Sequence, residues 1–177
     1  MNNRIRKQTK YLTVSAMLSA LGVVILSLGA LVEVLDVTTA IVASFLIIYA
    51  VIELGGAYPW LIWLVTSSLS IILLPQKTPA LFYALFAGFY PILKEKLERL
   101  KNIVAYPLKL LVFHLSLGSI VLAARLLFPE LLETDALWWM PILLYLAGVF
   151  CFVLYDIALT RLITYYLIKL QKRFRVK

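Results

Sequence analysis

The sequence predicts an all-α integral membrane protein: a six-transmembrane-helix bundle with both termini cytoplasmic. Three observations predict it. Apolar residues make up 63% of the 177-residue chain, and the mean hydropathy is +0.97. A soluble chain of this length has no core large enough to hide so much apolar surface. Its few charges gather in short clusters between long apolar runs, as they do where a bilayer is the solvent. Finally, Lys and Arg fall at three places that share one side only if the number of spans is even.

The elements follow in order. A basic segment, residues 1–10, carries Arg4, Arg6, Lys7 and Lys10 ahead of a first span read over Tyr11 to Val32. Such a start is compatible with the n-region of a signal peptide. The apolar run behind it, about 22 residues, is longer than an h-region and has no clear cleavage site, so a retained helix is expected. Glu33 and Asp36 flank the first turn, and the second span is read over Val37 to Leu54. Gly55, Gly56 and Pro59 break the chain before a third span, Tyr58 to Leu74. Pro75 and Pro79 bracket the next turn, and a short fourth run, Ala80 to Leu93, follows. A helix needs about 20 residues to cross about 30 Å, so this run only just spans. Lys94 to Lys101 (KEKLERLK) reads as a short interfacial helix, with Leu97 and Leu100 on its apolar side. The fifth span is read over Ile103 to Phe128 and an acidic loop over Pro129 to Asp135. The sixth begins near Leu137 and runs to about Leu170, and a basic cytoplasmic tail, residues 169–177, closes the chain. The whole, residues 1–177, is read as one transmembrane domain without internal repeats.

Orientation comes from the cations. One side holds Arg4, Arg6, Lys7 and Lys10, then Lys94, Lys96, Arg99 and Lys101, then Lys169, Lys172, Arg173, Arg175 and Lys177. The loops of the other side hold Lys77 alone among cations, with Glu33, Asp36, Glu130, Glu133 and Asp135. The positive-inside rule makes the first side cytoplasmic, in a multi-pass protein of the plasma membrane. Trp138 and Trp139 are expected at the outer interface, and Tyr58, Trp60 and Trp63 at the inner one.

Composition also excludes classes. The net charge of +8 and pI near 9.6 would suggest nucleic acid on a soluble protein. Here the cations flank apolar runs and face lipid headgroups, so membrane lipids are the expected partner and nucleic acid is not. Cys151 is the lone cysteine and His114 the lone histidine. They offer no disulfide framework, no metal pair and no Ser-His triad. No phosphate-binding glycine loop is present. The chain is expected not to be an enzyme, to use no cofactor, and not to hydrolyse ATP itself.

The polar residues inside the spans are the informative ones. Lys109 lies about two turns into the fifth span, and Asp156 lies at a similar depth in the sixth. An unpaired charge near mid-bilayer costs roughly 2.5–3.5 kcal/mol. A structural ion pair between them is the favoured reading; Lys109 snorkelling to the interface, or a proton or ion relay, are the alternatives. His114 sits mid-span, as an interhelical hydrogen-bonding group or a ligand contact, and Arg125 either snorkels or holds an anionic ligand. Thr66, Ser67, Ser68 and Ser70 form a hydroxyl patch read as packing. Small residues cluster at Ser15, Ala16, Ser19 and Ala20, and again at Ala80, Ala84 and Gly88. In lipid, close backbone approach at such ladders drives helix association.

In Leu12-Thr-Val-Ser-Ala-Met-Leu-Ser-Ala-Leu21 the chain resembles the S components of energy-coupling factor (ECF) transporters, which are small substrate-binding membrane subunits. The first helix of these proteins often carries an Ala-x-x-x-Ala element, matched by Ala16 and Ala20, that packs on a transmembrane coupling subunit. The resemblance extends over the whole chain in size and topology. It implies a substrate-capture subunit for a small molecule such as a vitamin or precursor, energised by separate ATPase subunits. It also implies that ligand enters from the outer side, into a pocket built by the first loop and the outer halves of later helices. By position, that points to Glu33, Asp36, Tyr83, His114, Arg125 and Trp139. The competing reading is a non-catalytic membrane scaffold of a cell-envelope complex, to which the basic tail and interfacial segment would be suited. An intramembrane enzyme or lipid carrier acting through His114 and Asp156 has too few acid–base groups to work with.

Overall fold

In lipid, backbone N–H and C=O groups must be satisfied within the segment, and the apolar runs of this chain accordingly fold as helices. A computed structural model describes residues 3–127 and 139–170, and among these the chain is helical without strands. Helix α1 spans Asn3–Leu31 and ends in a single 3-10 turn, Glu33–Leu35. Then come α2 (Asp36–Glu53), α3 (Tyr58–Leu73) and α4 (Thr78–Phe82). A π-helical turn, Tyr83–Ala87, leads to α5 (Tyr90–Leu97), followed by α6 (Asn102–Leu127) and α7 (Met140–Tyr165). A second π-helical turn, Tyr166–Leu170, extends α7.

Among the described residues, four stretches are long and apolar enough to cross a membrane: Ile5–Leu31, Asp36–Glu53, Ile103–Ala123 and Ile142–Lys169. Helix α3 is apolar but shorter. Large apolar side chains such as Met17, Val24, Leu28, Ile72, Leu115, Phe150 and Ile168 stand exposed along these helices. Contiguous surface of that kind suits a membrane and not water.

The breaks obey local chemistry. Gly55 and Gly56 have φ of 63° and 60°, a left-handed pair that lets the chain reverse between α2 and α3. Pro59, Pro79 and Pro91 each sit in the first turn of a helix, where a missing N–H costs nothing.

Three features differ from the sequence-based expectation. The basic segment is not a separate lead-in, because α1 starts at Asn3 and carries Lys7 and Lys10 on its first turns. The fourth run is split, since α4, the π turn and α5 divide residues 78–97. The 94–101 segment forms no helix of its own. Lys94 to Leu97 is the last turn of α5, where the Glu98 N–H donates back to the Lys94 carbonyl. Leu100 then bonds back to Leu97 and the chain turns towards α6. Trp138, the acidic residues Glu130, Glu133 and Asp135, and the tail beyond Leu170 lie outside the described residues.

The chain forms two compact units, residues 1–120 and 121–177. In the first, α1 packs along α2 and α3. Its core is built from Leu26, Ala40, Ala43, Ile47, Ile62, Tyr83 and neighbours on α5. Small residues set the closest approaches. A Cβ added at Gly29 would fall 2.1 Å from Thr39 Oγ1, and one at Gly22 would fall 2.9 Å from Thr66 Cγ2. The second unit holds the end of α6 and α7.

Candidate functional site

One face of α1 points inward and the other outward, and the small-residue cluster straddles both. Ser15, Ser19, Gly22, Leu26, Gly29 and Ala30 are buried. Ala16 and Ala20, with Leu12, Met17, Leu21 and Val24, are exposed. A spacing of 3.6 residues per turn separates neighbours in sequence by about 100° and gives this division. The sequence read Ser15, Ala16, Ser19 and Ala20 as one cluster; two helix faces carry it.

The second small-residue ladder is used internally. Ala80 is fully buried, and a Cβ at Gly88 would come within 2.6 Å of the Trp63 ring and 2.9 Å of Tyr83. Trp63 Nε1–H donates to the Ala84 carbonyl at 3.1 Å, and the Gly88 N–H donates to the Tyr83 carbonyl across the π turn. The wider turn shifts the backbone pairing, and an indole on α3 serves as an added donor to it.

Tyr83, expected in a ligand pocket, is 1% exposed and packs in the core. Its hydroxyl shares a hydrogen bond with the Thr66 hydroxyl. Thr66 Oγ1 in turn donates to the Ser19 carbonyl at 3.5 Å. This chain of groups links α1, α3 and the π turn. Ser67 and Ser70 are buried beside Thr66, and among the described residues their hydroxyls have no hydrogen-bond partner.

The other positions scatter along the two units. Asp36 is buried at the start of α2, where its carboxylate faces the favourable end of the helix dipole. Glu33 lies in the 3-10 turn, and its side chain is outside the described part. His114 is exposed on α6; its Nδ1 is 2.7 Å from the Leu110 carbonyl, so that nitrogen carries a proton. Its ring meets Phe113 edge-on at 5.6 Å. Arg125 and Trp139 are exposed and belong to the second unit.

Lys109 and Asp156 also fall in different units. Lys109 is nearly buried, and its ammonium donates to Glu98 at 3.4 Å. Lys94, fully buried, pairs with the same Glu98 at 2.7 Å. One carboxylate thus bridges the end of α5 to α6. The i,i+4 spacing of Lys94 and Glu98 was a signal for half of this bridge. Nothing in sequence spacing ties Lys109 to Glu98. The Asp156 carbonyl accepts a hydrogen bond from the Thr160 hydroxyl at 2.9 Å.

Aromatic rings hold two cations of the first unit, Lys7 and Lys96, at one end. Lys7 lies over Tyr11, which meets Tyr58 edge-on at 5.4 Å, and Lys96 lies over Trp60. The starts of α1 and α3 and the end of α5 are therefore neighbours. Among the described residues, no group of three His, Cys, Asp or Glu side chains is placed to hold a metal. No protein-family model, curated protein or solved structure matches this chain.

Proposed function

We propose that the chain is the substrate-capture subunit of a multi-subunit importer in the plasma membrane. It spans six times, counting α3 and residues 78–97 beside the four long helices, and both termini are cytoplasmic. It resembles ECF S components, takes a small molecule such as a vitamin or precursor, and is energised by ATPase subunits elsewhere. The single observation that supports this reading is the outward face of α1. Ala16 and Ala20 are exposed while Ser15 and Ser19 are engaged inside, so a neighbouring helix has a smooth surface to approach. The gathering of Lys7 and Lys96 at one end of the first unit supports the orientation.

The decisive experiment replaces Ala16 and Ala20 by Leu. Because both side chains point away from the core, the double variant is expected to keep its detergent melting temperature and lose association with co-expressed coupling and ATPase subunits. Mass spectrometry of the purified wild-type complex should find a vitamin-sized ligand. Association with envelope proteins and no ATPase would instead identify the membrane scaffold.

A further inference from the structure

The buried hydroxyls of α3 are aimed differently from those of the other long helices. Ser15 on α1, Thr39 on α2, Ser116 on α6 and Thr160 on α7 each donate to the carbonyl four residues back in their own helix. A hydroxyl in a helix commonly satisfies itself in this way. On α3, Thr66 donates instead to the Ser19 carbonyl of α1. Ser67 is 6% exposed and Ser70 0%, and among the described residues neither hydroxyl has a hydrogen-bond partner. Buried polar groups as a rule find one, because stripping a hydroxyl of water without a replacement is costly.

Register brings these groups together. Ser19 and Thr66 are 47 residues apart, and the Tyr11–Tyr58 contact has the same offset. Helices α1 and α3 therefore run parallel, and Ser67 and Ser70 stand level with Ala20 and Val23, to either side of Gly22. Gly22 leaves α1 with bare backbone at that level, and Thr66 packs on it. The same Thr66 shares a hydrogen bond with the Tyr83 hydroxyl of the π turn. Ser67, Ser70, the Tyr83 hydroxyl and the Ser19 carbonyl thus all lie within about a helical turn of Thr66.

Spacing and chemistry narrow what can join them. Side chains three residues apart on a helix have Cβ atoms about 5–6 Å apart. The Ser67 and Ser70 hydroxyls do not bond one another, and that gap matches two hydrogen bonds of about 2.8 Å through a single oxygen. The cluster holds hydroxyls and a carbonyl, with neither a carboxylate nor a cation, so it suits a neutral group that both donates and accepts. A hard cation takes about six oxygens, commonly with a carboxylate among them. At 3.5 Å the Thr66–Ser19 bond is long for an O–H donor, so that carbonyl has lone-pair capacity to spare.

We propose that the first unit binds an ordered water molecule beside Gly22, which bridges the Ser67 and Ser70 hydroxyls and donates to the Ser19 carbonyl. Buried waters typically make about three hydrogen bonds, to polar groups that have no other partner. This one ties α3 to α1 at a depth where lipid offers the hydroxyls nothing. The site needs neither a transported ligand nor a partner subunit.

Two measurements on the full chain in detergent test it. The first is X-ray hydroxyl-radical labelling, in which bound water is itself the source of radicals. Tyr83 and Tyr90 are both buried, at 1% and 0% exposed, and Tyr83 is the one beside the site. Tyr83 is expected to be labelled several-fold faster than Tyr90, and Ser67→Ala with Ser70→Ala should abolish the difference. Equal labelling in the wild type, or a difference that survives the double substitution, would overturn the water. The second is unfolding in mixed micelles. Each single substitution should lower the folding equilibrium constant about fivefold, the usual worth of one hydrogen bond. The double variant should fall no further, because the second substitution removes a hydroxyl that the first has left alone. A rise on either single substitution would show the hydroxyls to be dry and overturn the site. A melting temperature raised by sodium chloride and not by choline chloride would assign the site to a cation and overturn the water. Labelling of the wild type requires no variant, so it decides the question even where a variant does not fold.

Discussion

Glycine 29 shows at a single residue how tightly the first unit is closed. Its missing side chain is the space that Thr39 occupies, with Thr39 Oγ1 2.1 Å and Pro79 Cβ 3.4 Å from where a Cβ would stand. Gly29→Ala is expected to destabilise the protein by about 1–3 kcal/mol, the usual cost of overpacking. Thr39→Ala in the same chain removes the hydroxyl and should recover most of that loss, a coupling that a double-mutant cycle in detergent unfolding would measure. Independent, additive effects would mean that α1 and α2 do not meet there. Gly118 is the control: among the described residues nothing lies within 4 Å of a Cβ there, so Gly118→Ala should be neutral or stabilise α6 by up to about 1 kcal/mol. Sequence alone marked Ala16, Ser19 and Ala20 as small, yet within α1 it is Gly22 and Gly29, seven residues apart, that carry the closest approaches. Residue size is legible in a sequence; the rotation of a helix about its axis is not.

Among the elements, the π turn at Tyr83–Ala87 is the one that hydropathy does not register. The run Ala80 to Leu93 is apolar throughout, so periodicity has nothing to say about where its backbone widens. The turn joins α4 to the residues before α5 and presents the Ala84 carbonyl to Trp63. Trp63→Phe retains an aromatic ring against Phe89 and removes the N–H donor. It is expected to cost about 1 kcal/mol, read as a lower denaturation midpoint in detergent with unchanged helix content. A variant as stable as wild type would mean that water or another donor serves that carbonyl. The long elements were better predicted. The second and third apolar runs match the bounds of helices α2 and α3 within a residue at each end, with Gly55, Gly56 and Pro59 marking the break between them. The candidate site was less legible. Tyr83 was expected beside a ligand and lies in the core, bonded to Thr66, because an aromatic in an apolar run carries no mark of which way it faces.

At the scale of the whole molecule, charge distribution and helix length make one prediction together. Lys7 and Lys96 share an end of the first unit, and Lys77 lies in the turn between α3 and α4. In a Cys151→Ser background, Asn3→Cys should react with a membrane-impermeant maleimide only after the cells are opened, and Gln76→Cys should react in intact cells. The reverse pattern would invert the protein. One further consequence concerns α1. It runs 29 residues without a break, about 43 Å, so its cationic turn and its outward alanines belong to a single stiff rod. Tilting that rod by about 10° about its midpoint carries each end some 4 Å. Anything that grips the Ala16–Ala20 face therefore also steers Lys7 and Lys10 across the membrane surface, and presses the other end of the lever, Gly29, against Thr39.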